Sequence, residues 1–339
     1  MVWWSTPMQP KFSGPANERI RHLVKCGADP LGEDGPNVVL NLLMSPKRIS
    51  PMYVYDKRGT ELFEQQCGTP EYYLRRAEFR LLNRYAAVIV ELCGFPPMVE
   101  LGAGTAEKTR ILLAQYARRR VRCDYFPIDV DTETLQKSAC SLTTEHAQLF
   151  VHCIGATYRE GLRALPSRTH ARLFVFLGSS LGNMEWPEIR DLLSHLSGAS
   201  VGGDHLLLGV DLDKDPAIID RAYNDSAGYG ARSTLNMLEH LNRRYGGNFV
   251  TAHFRYRSQY DPGSKRNEVR IESLQNQTVT LASLQLTVSF RAAELIDAEV
   301  MQKFDPDELG AELDRAGFSM VRRWIDPVYG YGLLLLRRK

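Results

Sequence analysis

The chain has 339 residues, 44% hydrophobic and 24% charged, with a formal net charge of +2 at pH 7, which is ordinary for a soluble globular protein of one or two domains. A charge so near zero argues against nucleic acid or a membrane surface as partner, and no stretch approaches the roughly 20 apolar residues that span a bilayer. Six scattered cysteines (Cys26, Cys67, Cys93, Cys123, Cys140, Cys153) show neither CxxC pairs nor nearby histidines, so they read as reduced thiols, without a disulfide framework or a metal site.

The first residues, Met1 to Pro7, lack the basic and apolar blocks of a signal peptide, and a cytoplasmic protein, monomeric or weakly dimeric, is expected. Up to about residue 50, Pro, Gly, Asn and Asp clusters surround one helical patch at Arg19 to Lys25, predicting a partly irregular arm. Tyr53 to Thr60 leads into a short amphipathic helix holding Leu62 and Phe63. The turn Gly68-Thr69-Pro70 and the segment Glu71-Tyr72-Tyr73 follow, then a longer helical pattern through Phe79, Leu82, Tyr85, Ile89 and Leu92. Tyr55 and Tyr72 sit in loop-rich sequence, where ligand contact and structural packing are both open readings.

From residue 97 strands and helices alternate. A strand ends at Leu101, the turn Gly102-Ala103-Gly104 follows, and a helix runs through Ile111 to Leu113 with Thr105 as its expected N-cap. The basic run Arg118, Arg119, Arg120 and Arg122 reads as a solvated helix end. Further strands are expected at Tyr125–Ile128 before Asp129, at Leu149–Val151, at Leu173–Leu177 before Gly178 to Asn183, and at Leu206–Val210. Such a series implies a parallel sheet covered on both faces, with ligands beyond the carboxyl ends of its strands. That places Gly102, Asp129 and Gly178 to Asn183 on one rim.

Residues 213–303 break the pattern, with a helix around Leu235 to Leu241 and then antiparallel β sequence. A helix over Asp305–Ala316 and strands at Met320–Trp324 and Gly332–Leu336 close the chain. The expected organisation is an arm (1–77) that joins an insert (213–303) in an α+β substrate domain, beside a main α/β domain (78–212 and 304–339). A terminal antiparallel pair after a parallel series points to the class I S-adenosylmethionine methyltransferase fold, a Rossmann-like seven-stranded sheet.

The glycine turn alone is a weak signal. A dinucleotide fingerprint requires a third glycine where Glu107 stands, which weighs against an oxidoreductase. Asp129 suits the two ribose hydroxyls of an adenosine, so a phosphate-free adenosyl ligand fits the turn better. Several motifs in series are more specific. Tyr55-Asp56-Lys57-Arg58-Gly59, Pro70-Glu71-Tyr72-Tyr73, Val99 to Thr105 with Glu107-Lys108-Thr109, Phe176 to Asn183, Leu208 to Leu212 with Lys214-Asp215, and Arg221-Ala222-Tyr223 resemble the EgtD-like methyltransferases, from about residue 50 to the C-terminus. This family includes the histidine Nα-methyltransferase of ergothioneine biosynthesis and fungal enzymes acting on tryptophan-derived amines.

The resemblance implies S-adenosylmethionine as cofactor, held at Gly102, Gly104, Lys108 and Asp129, and a small amino-acid substrate. Tyr72, Gly178, Asn183 and Tyr223 match positions around its carboxylate and amine. Tyr55 matches a tyrosine near the amine, expected to orient it directly or through water. Glu299 keeps the position that binds imidazole in the histidine enzymes, whereas Val269 replaces Met, Met301 replaces Ser, and Ser233 replaces an aromatic residue. Loss of a hydroxyl partner and of bulk predicts a larger or less polar side chain, tryptophan-like or tyrosine-like, with histidine as the alternative. Gly155-Ala156-Thr157-Tyr158 also lacks the acidic residue that often meets the adenine amino group there.

Overall fold

The computed structural model of the chain describes residues 16–24, 32, 34–168 and 170–339. Met1 to Pro7 and Cys26, both read from the sequence, lie outside the described residues. The strands in chain order are β1 (Ile20–Val24), β2 (Lys47–Arg48), β3 (Met98–Leu101), β4 (Cys123–Asp129), β5 (Leu149–Gly155), β6 (Leu173–Phe176) and β7 (His205–Asp211). They continue as β8 (Phe254–Asp261), β9 (Arg266–Ser273), β10 (Gln277–Leu281), β11 (Leu286–Phe290), β12 (Leu295–Gln302), β13 (Phe318–Ile325) and β14 (Tyr331–Arg338).

The main sheet runs β1-β5-β4-β3-β6-β7-β14-β13. Only the β14 pairings are antiparallel, as the closing pair of strands predicts. All four residues of β3 and all seven of β7 are buried, because helices cover both faces. Leu81, Leu112 and Leu142 belong to one core, and Ile189, Leu193 and Leu309 to the other.

The predicted seven strands are present, and β1 adds an eighth at the β5 edge. Arg19 to Lys25 was expected to be helical. Instead Ile20 pairs with Val151 and Arg21 with His152, and the Arg19 guanidinium donates to the carbonyls of Thr143 (2.7 Å) and His146 (2.8 Å). An open edge with unpaired backbone groups outcompetes the weak helical preference of a short polar segment. This part of the arm therefore lies on the main sheet, not with the insert.

A third core holds Val38, Leu42, Tyr53 and Val54 from the arm together with Met237, Leu241, Val269, Ile271 and Phe290 from the insert. Its four-stranded sheet, β2-β12-β9-β8, is flanked by the helix Tyr229–Tyr245 and the β10-β11 hairpin. Among the described residues no helix is long and apolar enough to cross a membrane.

Candidate active site

The site begins where β3 ends. Gly102 and Gly104 have φ of +70° and +49°, a region that suits glycine, and a Cβ on Gly104 would meet nothing within 4 Å. Ala106 is also left-handed, so the helix starts only at Thr109, with Lys108 rather than Thr105 at its N-cap. The Gly104 N–H donates to Asp129 Oδ2 (2.8 Å) and the Asp131 N–H to Oδ1 (2.9 Å). Each carboxylate oxygen is thus oriented by one backbone donor and keeps lone pairs for a ligand diol. Burial pushes the Asp129 carboxyl above its usual range, against the pull of those two donors. An aligned acid beside Gly104, which faces open space, fits an adenosyl group.

Lys108 Nζ lies 2.6 Å from Glu78 Oε2, and Glu78 is 1% exposed. Glu78 Oε1 accepts from the Gly178 N–H (2.8 Å) and from the Tyr331 hydroxyl (2.7 Å). One carboxylate therefore ties the glycine-turn lysine to the rim after β6. Gly178, expected around the substrate, already has its N–H engaged. Glu78 gave no signal in the sequence, being one charged residue among several on an amphipathic helix. Glu107, read as unfavourable to phosphate, is paired with Arg75.

The buried Tyr72 and Tyr223 rings meet edge to face, with centroids 6.2 Å apart. The Tyr72 hydroxyl has no hydrogen-bond partner among the described residues, whereas the Tyr223 hydroxyl accepts from Lys303 Nζ (2.7 Å). Asn183 ends the short turn Ser180–Asn183 and is exposed. Gly182 of that turn is pressed so closely to β12 that a Cβ would sit 2.7 Å from the Gln302 carbonyl.

Glu299 stands on β12 opposite Val269 of β9, and Met301 opposite Asn267. Thr234 Oγ1 donates to Glu299 Oε1 (3.2 Å), and burial pushes this carboxyl up to about 7 despite that bond. Tyr55 is 57% exposed as a residue, while its hydroxyl end is surrounded by protein. Loss of solvent, then Glu299 and Tyr158, push its hydroxyl above the tyrosine range, so Tyr55 is a neutral phenol near pH 7 and not a base. Tyr158 was also missed as a site residue; its hydroxyl lies 3.0 Å from where a Gly102 Cβ would be.

Two of the three departures at the substrate end are buried. Val269 is 1% exposed and packed in the core shared by the arm and the insert. Ser233 is 4% exposed, with its hydroxyl 3.4 Å from the Gly59 carbonyl beneath the helix Lys57–Cys67. Met301 is partly buried between one core of the main sheet and the arm–insert core, its sulfur 3.8 Å from Asn267 Nδ2.

This strand order, with a glycine turn after β3 and an acid at the end of β4, is that of a class I S-adenosylmethionine-dependent methyltransferase. Residues 34–338 match the family described as histidine-specific methyltransferase, SAM-dependent, and the chain belongs to that family. It is 37% identical over 314 residues to a histidine Nα-methyltransferase of Mycobacterium tuberculosis, covering 91% of this chain and 98% of that protein. It is 35% identical over 302 residues (89% and 94%) to a histidine Nα-methyltransferase of Mycolicibacterium smegmatis. With an N-methyltransferase of Aspergillus fumigatus it shares 27% identity over 310 residues (88% and 81%). The chain is an S-adenosylmethionine-dependent amino-acid N-methyltransferase.

Proposed function

We propose that the chain methylates the α-amino group of free histidine, in place of the tryptophan-like or tyrosine-like substrate expected from the sequence. Glu299 carries this reading. A carboxyl held at about 7 beside Thr234 is matched to an imidazole, whose ordinary value is about 6.5, so one proton is readily shared between them. The expectation of a larger side chain rested on Val269 and Ser233 opening space, and both are sealed in the protein interior. The histidine enzymes of the two mycobacteria, at 37% and 35% identity, support the same substrate. Met301 alone favours a less polar side chain, so aromatic amino acids belong in any test.

In this reading Gly102, Gly104 and Asp129 hold the adenosyl part of S-adenosylmethionine, which when bound supplies an electrophilic methyl group. Lys108 acts beside them through Glu78 and the Gly178 rim. Tyr72, Asn183 and Tyr223 hold the amino-acid end of the substrate. Tyr55 orients the amine by donating or accepting a hydrogen bond, and the amine loses its proton to solvent as the cleft desolvates it. Holding the nitrogen about 3–3.5 Å from the methyl carbon provides most of the rate, with no strong base required.

A calorimetric screen of the twenty amino acids in the presence of S-adenosylhomocysteine tests this. Histidine is expected to bind tightest; preferential binding of tryptophan or tyrosine would overturn the assignment.

A further inference from the structure

The two crossings of the chain between the lobes meet on one buried charge cluster. Asp211 ends β7 and is 0% exposed; Lys303 follows β12 and is 1% exposed. The crossings are joined by hydrogen bonds from Phe304 N to Asp211 O (3.0 Å) and from Asp213 N to Phe304 O (3.0 Å). Lys303 Nζ lies 2.9 Å from Asp211 Oδ2, while Lys214 pairs with Oδ1. Lys214 also donates to the Tyr73 hydroxyl (2.9 Å), which in turn donates to Asp211 Oδ2 (2.8 Å). One carboxylate thus faces two ammonium groups. Asp326, which acts on Lys214 from further away, is itself paired with Arg80 at 3.2 Å.

The remaining contact of Lys303 is the Tyr223 hydroxyl, 2.7 Å away. An ammonium only donates, so the Tyr223 oxygen accepts, and its own proton is left to be donated elsewhere. A buried cation in excess over its carboxylate is costly unless an anion completes the cluster. The edge-to-face Tyr72 ring places a second hydroxyl-bearing side chain beside Tyr223.

We propose that Lys303 is a positioning residue for the reaction: it fixes Tyr223 as a hydrogen-bond donor, and with Lys214 it supplies the uncompensated positive charge that the α-carboxylate of the substrate neutralises. This deepens the function proposed above and rests on Tyr223 holding that carboxylate. It does not depend on which side chain the substrate carries.

The test uses whichever amino acid the wild-type protein turns over, together with its decarboxylated amine. K303M leaves Asp211 balanced by Lys214, so the fold should persist, as S-adenosylhomocysteine titration will report. The expected result is a KM for the amino acid raised about 10–100-fold, the range of a lost charge-assisted hydrogen bond. The kcat should change less than about threefold, and kcat/KM for the amine should not change. K303R should restore KM to within about fivefold by keeping a charged donor. An unchanged KM in K303M, or equal losses for the amino acid and the amine, would overturn the proposal. If the wild type does not prefer the amino acid over the amine, the carboxylate role of Tyr223 fails and the proposal with it. Should K303M lose cofactor binding, K303R and K303Q decide: a low KM with arginine and a raised one with glutamine support the role, and equal values refute it.

Discussion

Replacing Glu299 with glutamine separates what this carboxyl does for substrate from what it does to the fold. In the folded protein its pKa rises from the ordinary 4.5 to about 7 because burial disfavours the charged form. A carboxyl raised on folding contributes stability that is fully present below about 4.5 and lost as the pH climbs through about 7. At pH 8 the wild-type protein therefore holds an ionised group where water would solvate it better. The full shift corresponds to about 3 kcal/mol; with partial exposure of the side chain, on the order of 1–3 kcal/mol is expected. Glutamine keeps the oxygen that accepts from Thr234 and carries no charge. E299Q should thus be more stable than wild type at pH 8 by that amount, with the gap closing as the pH falls toward about 4.5.

Activity should move the other way. Exchanging a charged for a neutral acceptor of the imidazole N–H costs about 1–2 kcal/mol, or roughly 5–30-fold in kcat/KM for histidine. Histidine affinity of the wild type should weaken as the pH drops below about 7 and Glu299 takes up a proton, and in E299Q that dependence should flatten to the titration of histidine itself. Urea denaturation at pH 5 and pH 8, with steady-state kinetics over the same range, checks both halves. A variant less stable at pH 8, or one with unchanged kcat/KM for histidine, would refute the reasoning.

Three further substitutions probe other parts of the site. D129N would point an amide N–H at a backbone donor from Gly104 or Asp131, so S-adenosylhomocysteine affinity should fall about 10–100-fold by calorimetry. E78A strips the acceptor from Lys108, the Gly178 N–H and the Tyr331 hydroxyl together, and should cost about 3–5 kcal/mol in urea denaturation; a loss under about 1 kcal/mol would deny Glu78 its structural role. M301S returns a hydroxyl beside Glu299 and should lower KM for histidine about 3–10-fold, equivalent to one neutral hydrogen bond, without improving tryptophan.

The main sheet was legible because each strand is a short apolar run ended by Gly or Asp, and the helices between keep their periodicity. β1 was not, since its outer residues Arg21, His22 and Leu23 are exposed and nothing local marks an edge strand that forms by pairing with β5. β12 was likewise missed as a strand: Asp297, Glu299 and Gln302 interrupt its apolar pattern, with a register shift between Asp297 and Glu299. Gly104 and Asp129 meet at the glycine turn, and Lys108 reaches Glu78 beside it. Glu78 and Lys303 could not be found, because their partners lie on distant elements. The histidine proposal departs from the sequence expectation for a related reason. Val269 and Ser233 occupy positions read as pocket-lining, but only the packing shows that their side chains face the core and the helix Lys57–Cys67.

The most direct measurement is product analysis by mass spectrometry after incubating the protein with S-adenosylmethionine and an equimolar mixture of the twenty amino acids. Histidine should be consumed first and should carry its new methyl groups on the α-nitrogen, with the imidazole untouched. Methylated tryptophan or tyrosine appearing while histidine persists would contradict the assignment of Glu299 as the imidazole partner.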